Sequence, residues 1–320
     1  MSPDAPEPPP PPGPSPAWID LPGVVNMRDL GGLATDDGGV IASGRVIRSD
    51  NLQDLPAESV RRLVEDLGVT DVVDLRTFVE VAKEGDGPLV HRGDVHVQHF
   101  TLYPEETTET GIPAGERELP WVSDPDLGDR ARYAQAVAAS PLTVGSGVDE
   151  VSAARPGASD GDTRPASERE GEGDPARHDA YWSQHYLGYL AQRPDSVVAA
   201  LRAMADSRGA VVVHCAAGKD RTGTVIGLAL KLAGATDEAI VADFLASAER
   251  VPQILQRLKG RPAYAVNLDG KTVQQQSPRA DTMRMMLRSL DEDHGGLETW
   301  LGQHGWTAED TARLRAKLRN

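Results

Sequence analysis

The only cysteine of the chain, Cys215, stands six residues before an arginine in the string His214-Cys215-Ala216-Ala217-Gly218-Lys219-Asp220-Arg221-Thr222-Gly223. A thiolate can attack phosphorus and carry it as a covalent intermediate if cations and oriented N–H groups receive the charge on the transferring oxygens. The C-x5-R spacing supplies those parts from contiguous residues. Cys215 is the candidate nucleophile, because a helix N-terminus and nearby cations favour the thiolate form. Backbone N–H groups along Ala216, Ala217, Gly218 and Lys219 can wrap phosphate oxygens, and small side chains there allow close approach. Arg221 offers a planar fork for two oxygens at once. Thr222 can give its hydroxyl to the thiolate. His214 is read as a brace for the loop backbone. The leaving oxygen also needs an acid, and Asp220 lies between the phosphate cation and the helix. Its competing role is to hold the loop or orient Arg221. Lys219 either adds a second cation for a multiply phosphorylated substrate or only favours the thiolate.

These residues need a strand that stops, a turn, and a helix that begins. Ala210-Val211-Val212-Val213 reads as a short buried strand. Thr222–Ala233 is apolar at helical spacing and ends at Gly234, a natural C′ residue. A second β-branched strand, Val69–Leu75, leads to Arg76. Ligands in open α/β sheets bind beyond the carboxyl ends of the strands, so Arg76 either meets substrate or pairs with Glu80 or Asp74 as a brace. Arg28 and Asp29 are expected to be structural partners near the same edge.

Around this centre, Val24–Gly32 reads as an extended piece running into a glycine turn, with Val40–Ser49 as its hairpin partner. Val60–Leu67 is helical and Gly68 ends it. Val95–Leu102 is a further strand. Tyr181–Gln192 is helical and breaks at Pro194, after which Asp195 is expected to cap a helix with Val197, Val198, Leu201 and Met204 on one face. Ala239–Glu249, Asp281–Leu290, Leu297–Gln303 and Ala308–Leu318 complete a helical C-terminus. Strands alternating with helices predict an α/β fold with a central, largely parallel sheet flanked by helices.

Two segments differ in composition. Residues 1–16 hold nine of the 24 prolines, which favours an extended tail, so 1–17 is read as a disordered leader and 18–320 as one domain. Residues 104–180 hold 17 acidic side chains and seven arginines, a net −10 of the total −16. Within 104–178, read as an acidic lid or insertion, residues 145–176 lack hydrophobic periodicity and are expected to be mobile.

The net charge of −16 argues against nucleic acid as partner, since a phosphate backbone demands a basic footprint. One cysteine forms no internal disulfide, which suits a reducing compartment such as the cytoplasm. No signal peptide is visible, and signal-less export is left open. No run approaches the roughly 20 apolar residues of a membrane helix. No HExxH, paired CxxC or EF-hand spacing occurs, so neither metal nor cofactor is called for. Gly218-Lys219 is followed by Asp220 rather than Ser or Thr, against a Walker loop. No feature specifies an oligomeric state.

The string His214–Gly223 resembles the loop of atypical bacterial protein tyrosine phosphatases of the mycobacterial tyrosine phosphatase B type. The resemblance extends to Asn26-Met27-Arg28-Asp29-Leu30-Gly31-Gly32, with Met27 where the family has Phe, to Asp74-Leu75-Arg76 with Glu80, and to Val241–Leu245. It weakens across 104–178, where the family carries a lid-like helical insertion. It implies a cysteine-phosphatase fold and hydrolysis of phosphotyrosine, with phosphoserine, phosphothreonine and phosphoinositides as further substrates. It also makes Glu105, after Tyr103-Pro104, the alternative acid; Asp124 and Asp126, on the acidic segment, are further options by position alone. Two other classes compete: a non-catalytic phosphate-binding module, and a rhodanese-like sulfur transferase, whose chemistry does not need Arg221-Thr222-Gly223.

Overall fold

The computed structural model describes residues 16–105, 119 and 175–320. Among the described residues, six strands form one sheet: β1 (Ala17–Trp18), β2 (Arg28–Asp29), β3 (Val46–Ser49), β4 (Val69–Asp74), β5 (His96–His99) and β6 (Ala210–His214). Their spatial order is β1-β2-β3-β6-β4-β5. β1, β2 and β3 pair antiparallel, whereas β3, β6, β4 and β5 run parallel. The fold is thus α/β with a largely parallel sheet.

β6 shows why its sequence is apolar at every position from Ala210 to Val213. Both faces of a parallel sheet are covered by other elements, so hydrophobic alternation disappears. Val211 and Val213 enter one core with the helices of the C-terminal half. Ala210 and Val212 enter a second core on the opposite face with Ile47, Leu63, Val69 and Val72.

The helices are α1 (Ala57–Arg61, continued by a π-turn at Arg62–Asp66), α2 (Phe78–Glu84), α3 (Pro175–Gln192), α4 (Pro194–Asp206), α5 (Asp220–Leu232), α6 (Asp237–Ala246), α7 (Val251–Lys259), the short α8 (Ala265–Leu268) and α9 (Val273–Gln276), α10 (Ala280–His294), α11 (Leu297–Gln303) and α12 (Ala308–Arg319). α5 starts two residues before Thr222 and ends through Ala233 into Gly234, whose φ is +80°.

Asp195 does not cap α4. Arg193 is the N-cap residue, Pro194 opens the first turn, and the Asp195 carboxylate instead receives the Arg193 guanidinium at 2.8 and 3.0 Å. A proline fits the first turn because its missing N–H has no intrahelical partner there. The expected single helix Ala239–Glu249 is divided: α6 ends at Ala246, a 3-10 turn covers Ser247–Arg250, and α7 follows with Pro252 in its first turn. α3 begins at Pro175, ahead of Tyr181.

Of the acidic stretch 104–178, only Pro104, Glu105, Leu119 and the first turn of α3 are described; Asp124, Asp126 and the proline run lie outside the described residues. No helix among the described residues is long and apolar enough to cross a membrane.

Candidate active site

β6 delivers Cys215 to the carboxyl edge of the sheet. His214 sits in register with Ser49 of β3 on one side and Asp74 of β4 on the other. The chain then turns through Gly218, whose φ is +66° and whose added Cβ would meet the Ser49 carbonyl oxygen at 2.3 Å. Glycine is required there on both counts.

Five consecutive carbonyls of this turn are each received by a donor. The Cys215 carbonyl meets His214 Nδ1 at 3.2 Å, and the Ala216 carbonyl accepts the Asn51 N–H at 3.0 Å. Asn26 Nδ2 donates to the Ala217 and Gly218 carbonyls at 2.9 and 3.2 Å. Arg48 Nη2 donates to Gly218 at 2.7 Å and, more weakly, to Lys219 at 3.4 Å. The Lys219 carbonyl also accepts the Gly223 N–H at 2.7 Å. In a planar trans peptide the carbonyl of one residue and the N–H of the next point oppositely. Fixing these carbonyls therefore turns the N–H groups of Ala216, Ala217, Gly218, Lys219 and Asp220 the other way. Among the described residues those five donate to no other group. N–H groups left without a protein partner at a helix N-terminus are the kind of donors that can cradle an anion.

The charged side chains have defined partners. Arg221, 7% exposed, donates to both oxygens of the fully buried Glu80 at 2.5 and 2.9 Å and to the Leu75 carbonyl at 3.2 Å. Burial works against the Glu80 charge, and Arg221 more than offsets it, leaving the carboxyl below its usual range. Burial likewise works against the Arg221 charge; Glu80 outweighs it, and the nearby Cys215 sulfur adds to the upward shift. Cys215 itself is buried. Asp220 Oδ1 accepts the Tyr186 hydroxyl at 2.6 Å. Burial and then the Asp220 carboxylate push Tyr186 well above the ordinary phenol range, so it stays a donor.

Lys219 is turned sideways rather than left open. Its ammonium donates to the Gln276 carbonyl at 2.5 Å, lies 3.6 Å from Asp220 Oδ2, and sits 5.8 Å from the Trp182 ring centre. Arg221 stands 5.7 Å from the Tyr103 ring. Three consecutive charged residues of the loop thus each meet an aromatic side chain.

Arg76 takes the brace position. Its guanidinium, 1% exposed, binds Asp74 at 2.6 to 3.0 Å and the Gly85 carbonyl at 3.2 Å, the pairing expected of a brace. His214 Nε2 lies 3.6 Å from the same Asp74. Burial lowers His214 to about 4, with Asp74 opposing in part. The Thr222 hydroxyl does not reach the Cys215 sulfur: it is buried without a hydrogen-bond partner among the described residues. Glu105 sits at the start of α2, where its carboxylate accepts the Phe78 and Val79 N–H groups at 2.8 and 3.3 Å.

Sequence comparison agrees with this geometry. Residues 19–320 match the model of a family described as the tyrosine phosphatase family. The chain belongs to the tyrosine phosphatase family. It is 29% identical over 315 residues to the triple specificity protein phosphatase PtpB of Mycobacterium tuberculosis, a match covering 93% of this chain and 98% of that protein. A putative tyrosine-protein phosphatase of Cupriavidus necator is 26% identical over 278 residues, 87% of this chain and 80% of its own. A tyrosine-protein phosphatase of Nostoc commune is 31% identical over a shorter 129 residues, 37% of this chain and 42% of its own. As a protein-tyrosine phosphatase the chain acts on phosphorylated substrates.

Several residues around this phosphatase loop carry no signal in their own neighbourhoods. Glu80 was visible only as a partner for Arg76, yet it pairs with Arg221. Tyr186, in the aromatic stretch of α3, gave no sign of reaching Asp220. Arg48 lies within the Val40–Ser49 hairpin partner with nothing to single it out, although its side chain bonds the loop carbonyls of Gly218 and Lys219.

Proposed function

We propose that Cys215 is the nucleophile of a two-step phosphomonoester hydrolysis. Its thiolate attacks phosphorus in line, forming the S–P bond as the ester P–O bond breaks. The N–H groups of Ala216 to Asp220 and the Arg221 fork receive the equatorial oxygens. Asp220 protonates the departing oxygen. In the second step water attacks the cysteinyl-phosphate, Asp220 accepts the water proton, and Cys215 leaves as thiolate. The observation that carries this reading is the run of five undirected N–H donors beside Cys215, closed by an arginine that a buried glutamate holds in place.

Asp220 is preferred to Glu105 as the acid. It lies in the loop itself, bound on one oxygen by Tyr186 and on the other side by Lys219, whereas Glu105 is engaged by the N-terminal amides of α2. Phosphotyrosine is the primary substrate class. The similarity to the triple specificity protein phosphatase of M. tuberculosis supports a wider range, for which phosphoserine, phosphothreonine and phosphoinositides are the candidates.

The test is a phosphate-release panel over phosphotyrosine, phosphoserine and phosphothreonine peptides and phosphoinositides, on wild type, Cys215→Ser and Asp220→Asn. Cys215→Ser is expected to abolish turnover while retaining phosphopeptide binding. Unchanged turnover in that variant removes the mechanism, and thiosulfate-dependent cyanide conversion without phosphate release replaces it with sulfur transfer. Full activity of Asp220→Asn on a poor leaving group moves the acid to Glu105.

A further inference from the structure

Beneath the loop lies a buried polar cluster that touches none of the candidate reacting groups. Asp243 joins two arginines: Oδ1 accepts from Arg28 Nε at 2.8 Å and Oδ2 from Arg48 Nη1 at 2.5 Å. Arg28 Nη1 donates to Asn26 Oδ1 at 2.8 Å, and Arg28 Nη2 reaches the Asp243 carbonyl at 2.6 Å and Ser247 Oγ at 3.2 Å. All five residues are at most 7% exposed. Replacing such a cluster by apolar side chains is often neutral or stabilising, so stability is a weak reason for building it.

Its geometry supplies a better reason. The Arg28 cation occupies Asn26 Oδ1, and this leaves Asn26 Nδ2 to face the carbonyls of Ala217 and Gly218. Asp243 occupies Arg48 Nη1, and this aims Nη2 at the Gly218 carbonyl, with Lys219 within reach. Each carbonyl so fixed orients the N–H of the following residue. Two guanidiniums also share one carboxylate, so the cluster places excess positive charge under the anion cradle.

We infer that Asn26 and Arg48, aimed by Arg28 and Asp243, are positioning residues that set the direction of the Gly218, Lys219 and Asp220 amides toward the transferring phosphoryl group. The inference rests on the proposed cysteine mechanism and adds to it the part of the protein that shapes the oxyanion donors. A donor misdirected in such a site costs rate more than it costs folding, because the charge it serves develops fully only in the transition state.

The test uses Asn26→Ala and Arg48→Lys in the full chain, read by steady-state kinetics on a phosphotyrosine peptide, by vanadate inhibition and by thermal melting. Arg48→Lys keeps the charge but lacks the fork that spans Asp243 and the loop. Both variants are expected to lose roughly a hundredfold in kcat, the scale of one lost oxyanion donor, with KM changed far less and vanadate inhibition weakened about tenfold or more. Asp310→Asn, which disturbs the α12 cap and the Arg202 pair far from the loop, is the control: it lowers the melting temperature and leaves vanadate inhibition at the wild-type value. Should the two main variants fail to fold, Ser247→Ala decides, since it removes only the hydroxyl shared by Asn26 Nδ2 and Arg28 Nη2; a several-fold weaker vanadate inhibition is expected. Folded variants with wild-type kcat and vanadate inhibition overturn the inference while leaving the mechanism intact. A wild-type protein that releases no phosphate, or an undiminished Cys215→Ser, overturns the mechanism itself.

Discussion

Glu80 and Arg221 meet fork to carboxylate at 2.5 and 2.9 Å across 141 residues of chain. Glu80 also closes the capping box of α2, where it accepts the Thr77 N–H at 2.7 Å. One carboxylate thus ties the start of a helix to the cation of the signature loop. Glu80→Gln preserves the cap, since Gln serves at that position, and deletes the charge. Removing the charge of one partner of a buried ion pair costs up to about 3–5 kcal/mol. Thermal melts are expected to show that loss, and vanadate should raise the melting temperature more in Glu80→Gln than in wild type, because the anion then provides the missing counter-charge. Equal ligand stabilisation in the two proteins contradicts a shared role for Glu80 and the phosphoryl group on Arg221.

Tyr186 gives Asp220 its only phenolic donor among the described residues, at 2.6 Å. Tyr186→Phe keeps the ring packing against Phe244 and Tyr189 and removes that bond. If Asp220 protonates the leaving oxygen, the loss appears on alkyl phosphates and is small on p-nitrophenyl phosphate, whose leaving group needs little help. We expect about a tenfold fall in kcat on phosphoserine peptide, within the usual contribution of a placed acid. A fall of the same size on both substrates assigns Tyr186 to packing.

Lys219 is bound to Gln276 and lies against Trp182, so it holds the segment around α9 onto the loop. Lys219→Met should therefore reduce turnover of phosphotyrosine peptide and of phosphoinositide by similar factors. A selective loss on the lipid substrate, measured as the ratio of the two kcat/KM values, shows instead that the ammonium reads the second phosphate.

His185 and His214 are both lowered from 6.5 to about 4, chiefly by burial, with Asp220 and Asp74 opposing in turn. A folded-state value below the unfolded one means the unfolded chain binds more protons between pH 4 and 6.5. Stability is complete above pH 6.5 and falls as the pH drops toward 4, by roughly 3 kcal/mol for each histidine. Urea midpoints across that range are expected to follow this course, and His214→Asn should flatten part of it. A midpoint that stays constant from pH 6.5 to 4.5 shows that the two imidazoles are not held neutral. Because His214 stays uncharged above pH 5, its titration shapes no limb of the activity profile at neutral pH.

The strand–loop–helix unit was legible because its signals are local. Val211, Val212 and Val213 mark a doubly covered strand, and Gly234 stops α5 where the periodicity ends. Asp195 misled because an acid after a proline looks like a cap, while Arg193 is free to compete for its carboxylate. The Val251–Lys259 helix went unread although Val251, Ile254, Leu255 and Leu258 keep helical spacing, because Pro252 looks like a terminator until it is placed in a first turn. The partners of the loop were hidden for a different reason. Asn26, Arg48, Glu80, Tyr186 and Asp243 reach it across sheet register and helix packing, and no window of sequence contains both ends of such a contact.

That distance has a kinetic consequence. Asn26 bonds the loop across 191 residues and Arg48 across 170, while Arg28 finds Asp243 across 215. Contacts of such separation form late, after the entropy of closing long chain loops has been overcome. A nascent chain that has extruded Cys215 and Arg221 still lacks Asp243 and Ser247, so it holds the nucleophile without the support that shapes its cradle. Recovery of phosphatase activity during refolding should therefore lag behind recovery of helical signal, making turnover a reporter of the last assembly step.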